Sequence, residues 1–315
     1  MIKINNLNVE LKSNNDTFYI LRDFSIDLRP GEILGLAGES GSGKSVLAKT
    51  ILGINKSPIY KTSGDIFVEN KKIVSLKDYR TLRGKKISMI FQNPQSSLNP
   101  VMTIGEQLIE TIRLHNKEVS KKEAKIRAIN LLEDVEINNA EDRLDSYPHQ
   151  LSGGMNQRVM IAMCLASDPD IIIADEPTTA LDVTIQAQII NLIKDINKKR
   201  NLTILFISHD LALLSTICSR VAVIYSGELM EIINASDLKT GNELHPYTHA
   251  LKNCIPTIGN KKELVSIKGI IEKNNSEYSN KCIFANRCTF SSDKCFNEKP
   301  SFNNNIKCFN SLKTK

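Results

Sequence analysis

A chain of 315 residues, 41% hydrophobic and 24% charged, has the material for one large domain with an appendage or for two domains. Its longest apolar runs, such as "IIIA" at 171–174 and "LALL" at 211–214, fall far short of the roughly 20 residues that span a bilayer. "MIKINNLNVELKS" also lacks the apolar stretch of a secretory signal, so the expectation is a cytosolic chain with reduced thiols that cannot cross a membrane alone. The net charge of +6 suits an anionic partner such as nucleotide or a lipid surface, and equally a lysine-rich solvated face.

The first thirty residues, with "INNLNVEL" and "YILRDFSIDL", predict two antiparallel strands. "GEILGLAGESGSGKSVLAKTILGI" then reads as strand, glycine loop and helix, and "GDIFVENKKIVSL" as a hairpin turning at Asn-Lys-Lys. From about residue 94 the character changes. "IGEQLIETIRLH" and "KKEAKIRAINLLEDV" carry apolar residues at helical spacing, and with "NQRVMIAMCLA" they predict a helical subdomain over about 94–165. "DIIIADE" is a buried apolar strand closed by two acids. A helix follows at "TIQAQIINLIKDINKKR", with Ile185, Ile189, Leu192, Ile193 and Ile196 on one face and cations in its last turn. The strand "LTILFIS", the helix "LALLSTIC" and the hairpin "RVAVIYSGELMEI" complete an α/β core with a parallel sheet. Beyond about Pro246 regularity fades, and no repeat of the core occurs.

Three stretches carry chemistry. "GESGSGKS" at 38–45 fits G-x-x-x-x-G-K-[ST]: Gly38, Glu39, Ser40, Gly41, Ser42 and Gly43 offer backbone N–H groups to a phosphate. Lys44 supplies charge to the β- and γ-phosphates, and Ser45 offers a hydroxyl to Mg²⁺. The helix that opens at Ser45 and Val46 adds its positive end. "IIIADE" places Asp175 and Glu176 at the C-terminal edge of the sheet. Asp175 can orient Mg²⁺ through its water shell, and Glu176 can take a proton from an attacking water. In "LSGGMNQR", Ser152, Gly153 and Gly154 precede a helix and make a second anion site, or a plain N-cap with a glycine turn.

The ordered set of phosphate loop, "FQNP" (91–94), "LSGG", "ADEP", "ALD" (180–182) and "SHD" (208–210) resembles ABC-type ATPases over residues 1 to about 235. The resemblance implies a P-loop NTPase core of ABC type, with an antiparallel β subdomain and a helical subdomain. It implies that Gln92 senses the nucleotide and connects to a transmembrane partner, and that Ser152, Gly153 and Gly154 clamp the γ-phosphate held by an opposite subunit. Asp182 would lie at the dimer seam and His209 would contact the γ-phosphate. With no repeat of the core, the second half of each ATP site must come from another chain.

"YPHQLSGGMNQRVMIAMCLASDPDIIIADEPTTALDVTIQAQI" and "HPYTHALKNCIP" look like the ATP-binding subunits of oligopeptide and dipeptide importers, whose phrases nickel and glutathione importers share. That resemblance implies ATP and Mg²⁺ and a place on the cytoplasmic face of the membrane. The implied partners are a second, similar ATPase, two transmembrane permease subunits and, indirectly, an extracytoplasmic binding protein. It implies no nucleic acid: translation-type relatives carry two cores and repair-type ones long insertions, and neither feature occurs here. Where many relatives place an aromatic residue under adenine, this sequence has Leu11, with Phe18 and Tyr19 nearby.

The expected division is a nucleotide-binding domain over 1–255 and a small Cys-rich extension over 256–315. Cys282, Cys288, Cys295 and Cys308 are spaced too widely for the usual paired zinc motif. A similar element in the importer branch implies a [4Fe–4S] cluster, with zinc as the alternative. His245 and His249 have i,i+4 spacing, but Pro246 speaks against one continuous helix and a metal role there. Cys164, Cys218 and Cys254 read as small core residues.

Overall fold

The computed structural model describes residues 1–12, 17–55, 60–179, 181–240, 244–254 and 266–312. In chain order the elements are β1 (Ile2–Lys12), β2 (Thr17–Leu28), β3 (Ile33–Ala37), α1 (Lys44–Ile51), β4 (Tyr60–Val68), β5 (Lys71–Ile73), α2 (Leu76–Leu82) and β6 (Ile87–Ile90). Five helices follow: α3 (Pro94–Ser97), α4 (Ile104–His115), α5 (Lys121–Asp134), α6 (Ala140–Arg143) and α7 (Gly153–Leu165). Then come β7 (Ile171–Asp175), α8 (Val183–Arg200), β8 (Thr203–Ile207), α9 (Leu211–Ile217), β9 (Arg220–Tyr225) and β10 (Glu228–Asn234). The chain closes with α10 (Ala235–Thr240), α11 (Pro246–Asn253) and α12 (Asp293–Asn297). The expected boundary at 255/256 lies outside the described residues.

The chain folds as two units, residues 1–75 with 206–315, and residues 76–205; the division falls within β8. In the first unit β2, β1, β4 and β5 form an antiparallel sheet in that order. Ile2, Ile4, Leu7 and Val9 of β1 bury one face, and the register shifts between Asn5 and Asn8 keep Leu7 inward after the run Asn5-Asn6. The hairpin of β4 and β5 turns at Glu69 and Asn70, both at positive φ, rather than at Asn-Lys-Lys. A type I′ turn needs two left-handed residues, and its twist matches the strands; Lys71 and Lys72 are thereby placed in β5. The same unit holds β3 parallel to β9, with Leu34 opposite Arg220 and Ala37 opposite Val223, and β10 antiparallel to β9. All of β3 is buried, as a strand covered on both faces requires.

The second unit pairs β6 with β7 in parallel, Ile87 opposite Ile171. Its helices are capped as their sequences specify: Thr103 and Glu106 form a capping box on α4, and Ser120 caps α5. In α8 the buried set is Ile189, Ile190, Leu192, Ile193 and Ile196; Ile185 is only half-buried. The cations at its end, Lys199 and Arg200, pair with Asp134, both at 2.8 Å.

The C-terminal stretch is more ordered than its composition suggests. In the first unit, the Lys307 N–H donates to Met230 O at 2.8 Å and the Ile232 N–H to Asn305 O at 2.8 Å, so the tail lies against β10. Arg22 of β2 reaches Asn274 Oδ1, Asn275 O and Ser279 Oγ at 3.0, 2.9 and 2.7 Å. Ile283 and Phe284 are buried beneath it. Burial of these few apolar groups and pairing of the backbone replace the helical periodicity whose loss marked the region as irregular.

Candidate functional site

In the first unit the glycine loop lies between β3 and α1, as a phosphate cradle requires. Gly43 caps α1 with φ 103°, and a Cβ there would meet Ile20 O at 2.7 Å, so only glycine fits. Lys44 is 5% exposed, and its ammonium donates to Gly38 O at 2.7 Å and Glu39 O at 2.9 Å. Ser42 and Gly43 are buried, Ser40 and Gly41 exposed, and Ser45 and Val46 are half-buried in the first turn of α1. An ammonium held by backbone carbonyls of the loop can exchange those carbonyls for phosphate oxygens. His209 of the same unit is exposed, just past β8. Its neighbours are fixed: Asp210 caps α9 through Ala212 and Leu213, and Ser208 Oγ accepts the Asp210 N–H at 3.0 Å.

In the second unit Asp175 ends the fully buried β7 and is itself 5% exposed. Glu176 follows at φ 47°, a left-handed conformation uncommon for glutamate. Two donors converge on its Oε2: Gln92 Nε2 at 3.1 Å and Thr179 Oγ1 at 2.9 Å. The structure thus brings Gln92 to Glu176 across 84 residues. Thr179 was missed by sequence reasoning, although the Thr-Thr pair after "ADEP" was its only available signal. Two hydrogen bonds to one oxygen fix the direction of a carboxylate, and a proton acceptor must be held toward the water it serves.

Ser152 is the N-cap of α7 and accepts the Met155 N–H at 3.3 Å, so the plain capping role is present. It does not account for Gly153. Among the described residues, a Cβ at that position would meet nothing nearer than Leu181 Cδ2 at 4.0 Å, so none of them requires a glycine there. Asp182 caps α8 by accepting the Ile185 N–H at 2.9 Å. Ala180 of "ALD" lies outside the described residues.

His245 and His249 do not form a pair on one helix face. Pro246 is the first residue of α11, where its missing N–H costs nothing, and His245 is the N-cap whose Nδ1 accepts the Tyr247 N–H at 3.0 Å. Burial pushes His245 down to about 3, so it stays neutral. Cys164 and Cys218 are buried as expected, with the Cys164 thiol pushed up to about 12 by burial, whereas Cys254 is half-buried.

Among the described residues no three or more His, Cys, Asp or Glu side chains are grouped to hold a metal ion. The iron–sulfur or zinc site expected at Cys282, Cys288, Cys295 and Cys308 therefore lacks support. Burial pushes the Cys282 thiol up to about 12 and the Cys308 thiol to about 11. The Asn310 N–H donates to Cys308 Sγ at 3.2 Å, and the Cys282 N–H to Cys295 O at 2.9 Å; the element is closed by ordinary hydrogen bonds.

A strand–glycine loop–helix with a buried lysine, together with a carboxylate-tipped buried strand, defines a nucleoside-triphosphate-hydrolysing protein of the P-loop class. Comparison with known proteins narrows this. Residues 21–179 match the ABC transporter family, and residues 230–295 match the oligopeptide/dipeptide transporter C-terminal region. The chain is 43% identical over 272 residues to the dipeptide transport ATP-binding protein DppD of Lactococcus lactis subsp. cremoris, covering 85% of this chain and 78% of that protein. It is 44% identical over 274 residues to the oligopeptide transport ATP-binding protein OppD of Bacillus subtilis, covering 85% and 76%. Among solved structures, a dimeric ATP-binding cassette in a post-hydrolysis state with ADP and Pi superposes with a TM-score of 0.66 and 29% identity, over 75% of this chain and 99% of that one. Clostridium perfringens CbiO1, part of an ABC transporter complex, gives 0.65 and 28%, over 76% and 90%. The chain belongs to the ABC transporter family and has its ATPase cassette fold.

Proposed function

We propose that this chain is the ATP-hydrolysing subunit of an importer for oligopeptides or dipeptides. The observation that carries the reading is that similarity to peptide-transport ATP-binding proteins extends through both the cassette and the region at 230–295. No helix among the described residues is long and apolar enough to cross a membrane, so translocation needs permease subunits. The helical unit leaves Val101 79% and Leu114 68% exposed, apolar surface suited to the cytoplasmic loops of two such subunits. The chain would then sit on the cytoplasmic face of the membrane, with an extracytoplasmic binding protein acting only through the permeases. Residues 1–255 serve as the nucleotide-binding domain and 256–315 as an extension of it.

In this reading Gly38–Ser45 and Val46 hold the triphosphate, Ser45 and Asp175 would hold Mg²⁺ in its water shell, and the ion would offset phosphate charge. Lys44 moves from its two carbonyls to the β- and γ-phosphates. Glu176, oriented by Gln92, accepts the proton of the attacking water, and His209 steadies the γ-phosphate. Ser152, Gly153 and Gly154 act on the ATP of a second ATPase subunit, a paralogue or a copy, across a seam that includes Asp182.

Lys44→Ala is expected to weaken ATP binding by about tenfold or more, since a charged hydrogen bond contributes about 1.5–3 kcal/mol. A calorimetric titration showing wild-type affinity would remove Lys44 from the site. Co-purification of the full-length chain with two membrane subunits, and ATPase activity that rises with peptide in proteoliposomes, tests the cargo. Stimulation by nickel or glutathione and not by peptide would reassign it.

A [4Fe–4S] or zinc centre would take Cys282, Cys288, Cys295 and Cys308 as its ligands. In its favour, Cys282 lies within electrostatic reach of the other three. Iron with a broad visible absorbance in anaerobically purified protein, lost in Cys288→Ser, would establish the cluster. Stoichiometric zinc would establish the alternative, and protein free of both metals would end the proposal.

A further inference from the structure

The phosphate loop contains a residue of the wrong charge for its ligand. Glu39 stands second in Gly38–Ser45, and a carboxylate beside an incoming triphosphate repels it unless another group cancels the charge. The cancelling group comes from 248 residues away in the chain and from the same folding unit. Arg287 Nη1 donates to Glu39 Oε2 at 2.8 Å and Nη2 to Oε1 at 3.0 Å, a parallel two-pronged pairing.

We propose that Arg287 is a positioning residue of the ATP site: from the C-terminal element it neutralises Glu39 and holds the phosphate loop in the shape that accepts ATP. Every donor of the guanidinium is used. Nε donates to Lys268 O at 3.0 Å, Nη1 also to Tyr225 Oη at 3.3 Å, and Nη2 also to Ile267 O at 3.3 Å. The Arg287 side chain is 4% exposed, so it cannot swing away to solvent at little cost. A second tie acts on the loop backbone: Tyr247 Oη accepts the Glu39 N–H at 3.0 Å, and Tyr247 is fully buried. The rings of Tyr225, Tyr247 and Phe284 pack edge-on or tilted with centroids 4.8–5.1 Å apart, and they fix both hydroxyls. Phe284 and Arg287 bracket the single 3-10 turn Ala285–Arg287, so the grip on Glu39 depends on the fold of the C-terminal element.

A bland alternative is that Arg287 merely fastens the tail to the cassette. The two readings differ in what a second substitution does. If Arg287 cancels an unfavourable charge, removing that charge makes Arg287 dispensable for binding; if it is only a fastener, removing Glu39 as well repairs nothing. By reciprocity, ATP in the loop must also steady the element that holds the loop.

The inference rests on Gly38–Ser45 being the ATP loop, so equilibrium dialysis with labelled ATP starts from the full-length wild-type chain. Failure of the wild type to bind ATP would defeat that reading; binding that is indifferent to Arg287 would defeat only this inference. Arg287→Met is expected to weaken ATP about tenfold, and Arg287→Lys by a smaller factor, because the charge stays and the fork is lost. Glu39→Gln combined with Arg287→Met should return affinity to within about threefold of wild type. A double variant as weak as Arg287→Met, or Arg287→Met binding like wild type, overturns the proposal. Hydrogen exchange on the unmodified protein keeps the test open should Arg287→Met fail to fold. ATP should slow exchange over residues 284–288, and exchange there unchanged by saturating ATP also overturns it.

Discussion

Glu176→Gln is expected to slow ATP hydrolysis by about 10²–10⁴-fold while leaving ATP binding intact. The amide keeps the shape of the carboxylate, so Gln92 and Thr179 can still meet it, but it cannot take a proton from water. What the change removes is basicity at a position the structure has already oriented, at 3.1 Å from Gln92 Nε2 and 2.9 Å from Thr179 Oγ1. Single-turnover hydrolysis in the assembled transporter, beside an ATP-binding isotherm, separates the two steps. Unchanged turnover would take the role of base away from Glu176. A parallel loss of binding would show that the residue shapes the site rather than acting within it.

Glu228→Leu should destabilise the first unit by about 3 kcal/mol or more, the usual cost of leaving a buried ion without its partner. Glu228 is 1% exposed at the start of β10. Its oxygens accept from Lys307 at 2.6 Å, Lys299 at 2.9 Å and Asn274 at 3.2 Å. The substitution strands two ammonium groups that are 10% and 19% exposed. Burial alone would raise the Glu228 carboxyl, but the charges of Lys307 and Lys299 outweigh it and hold the group below the usual carboxylate range. Burial pushes Lys299 in turn below the ordinary range of a lysine.

The sign for Glu228 follows from its lowered value. Its stabilisation is complete above the unfolded carboxylate pKa, near 4.3, and is lost as pH falls through the folded value. Urea titrations followed by circular dichroism should therefore show the wild-type and Glu228→Leu curves converging below about pH 4. A constant gap across that window, or no gap at pH 7, would show that the cluster contributes nothing.

The parts of the site legible in sequence are those formed by contiguous residues. The phosphate loop needs glycines and a lysine at set spacing because one turn of backbone must wrap one phosphate. The buried strand "IIIAD" ends in its acids because a strand covered on both faces excludes polar residues until it leaves the sheet. The cap at Ser152 was equally readable, since a cap acts within three residues of itself, whereas the caps at Asp182 and Asp210 emerged only with the structure. Gln92 was singled out only through resemblance, and its hydrogen bond to Glu176 could not be read locally. The hairpin turn was misread by one step, because Glu69 at positive φ carries no compositional signal.

The C-terminal region shows the limit most clearly. Its sequence displays four cysteines and little periodicity, and it drew attention to a metal. Its structure displays Arg287 on Glu39, Lys307 and Lys299 on Glu228, and Arg22 on Asn274. Each of these pairs joins residues at least 71 positions apart, by side chains whose types occur throughout the surface. By itself the sequence determined the local motifs, a phosphate loop and a strand tipped by two acids, and through them membership of a transport ATPase family. Only the tertiary structure decided which group of the tail meets that loop, Arg287 on the Glu39 carboxylate. Local motifs are set by backbone geometry over a few residues, whereas charge pairing is set by proximity in space, which no single stretch of sequence encodes.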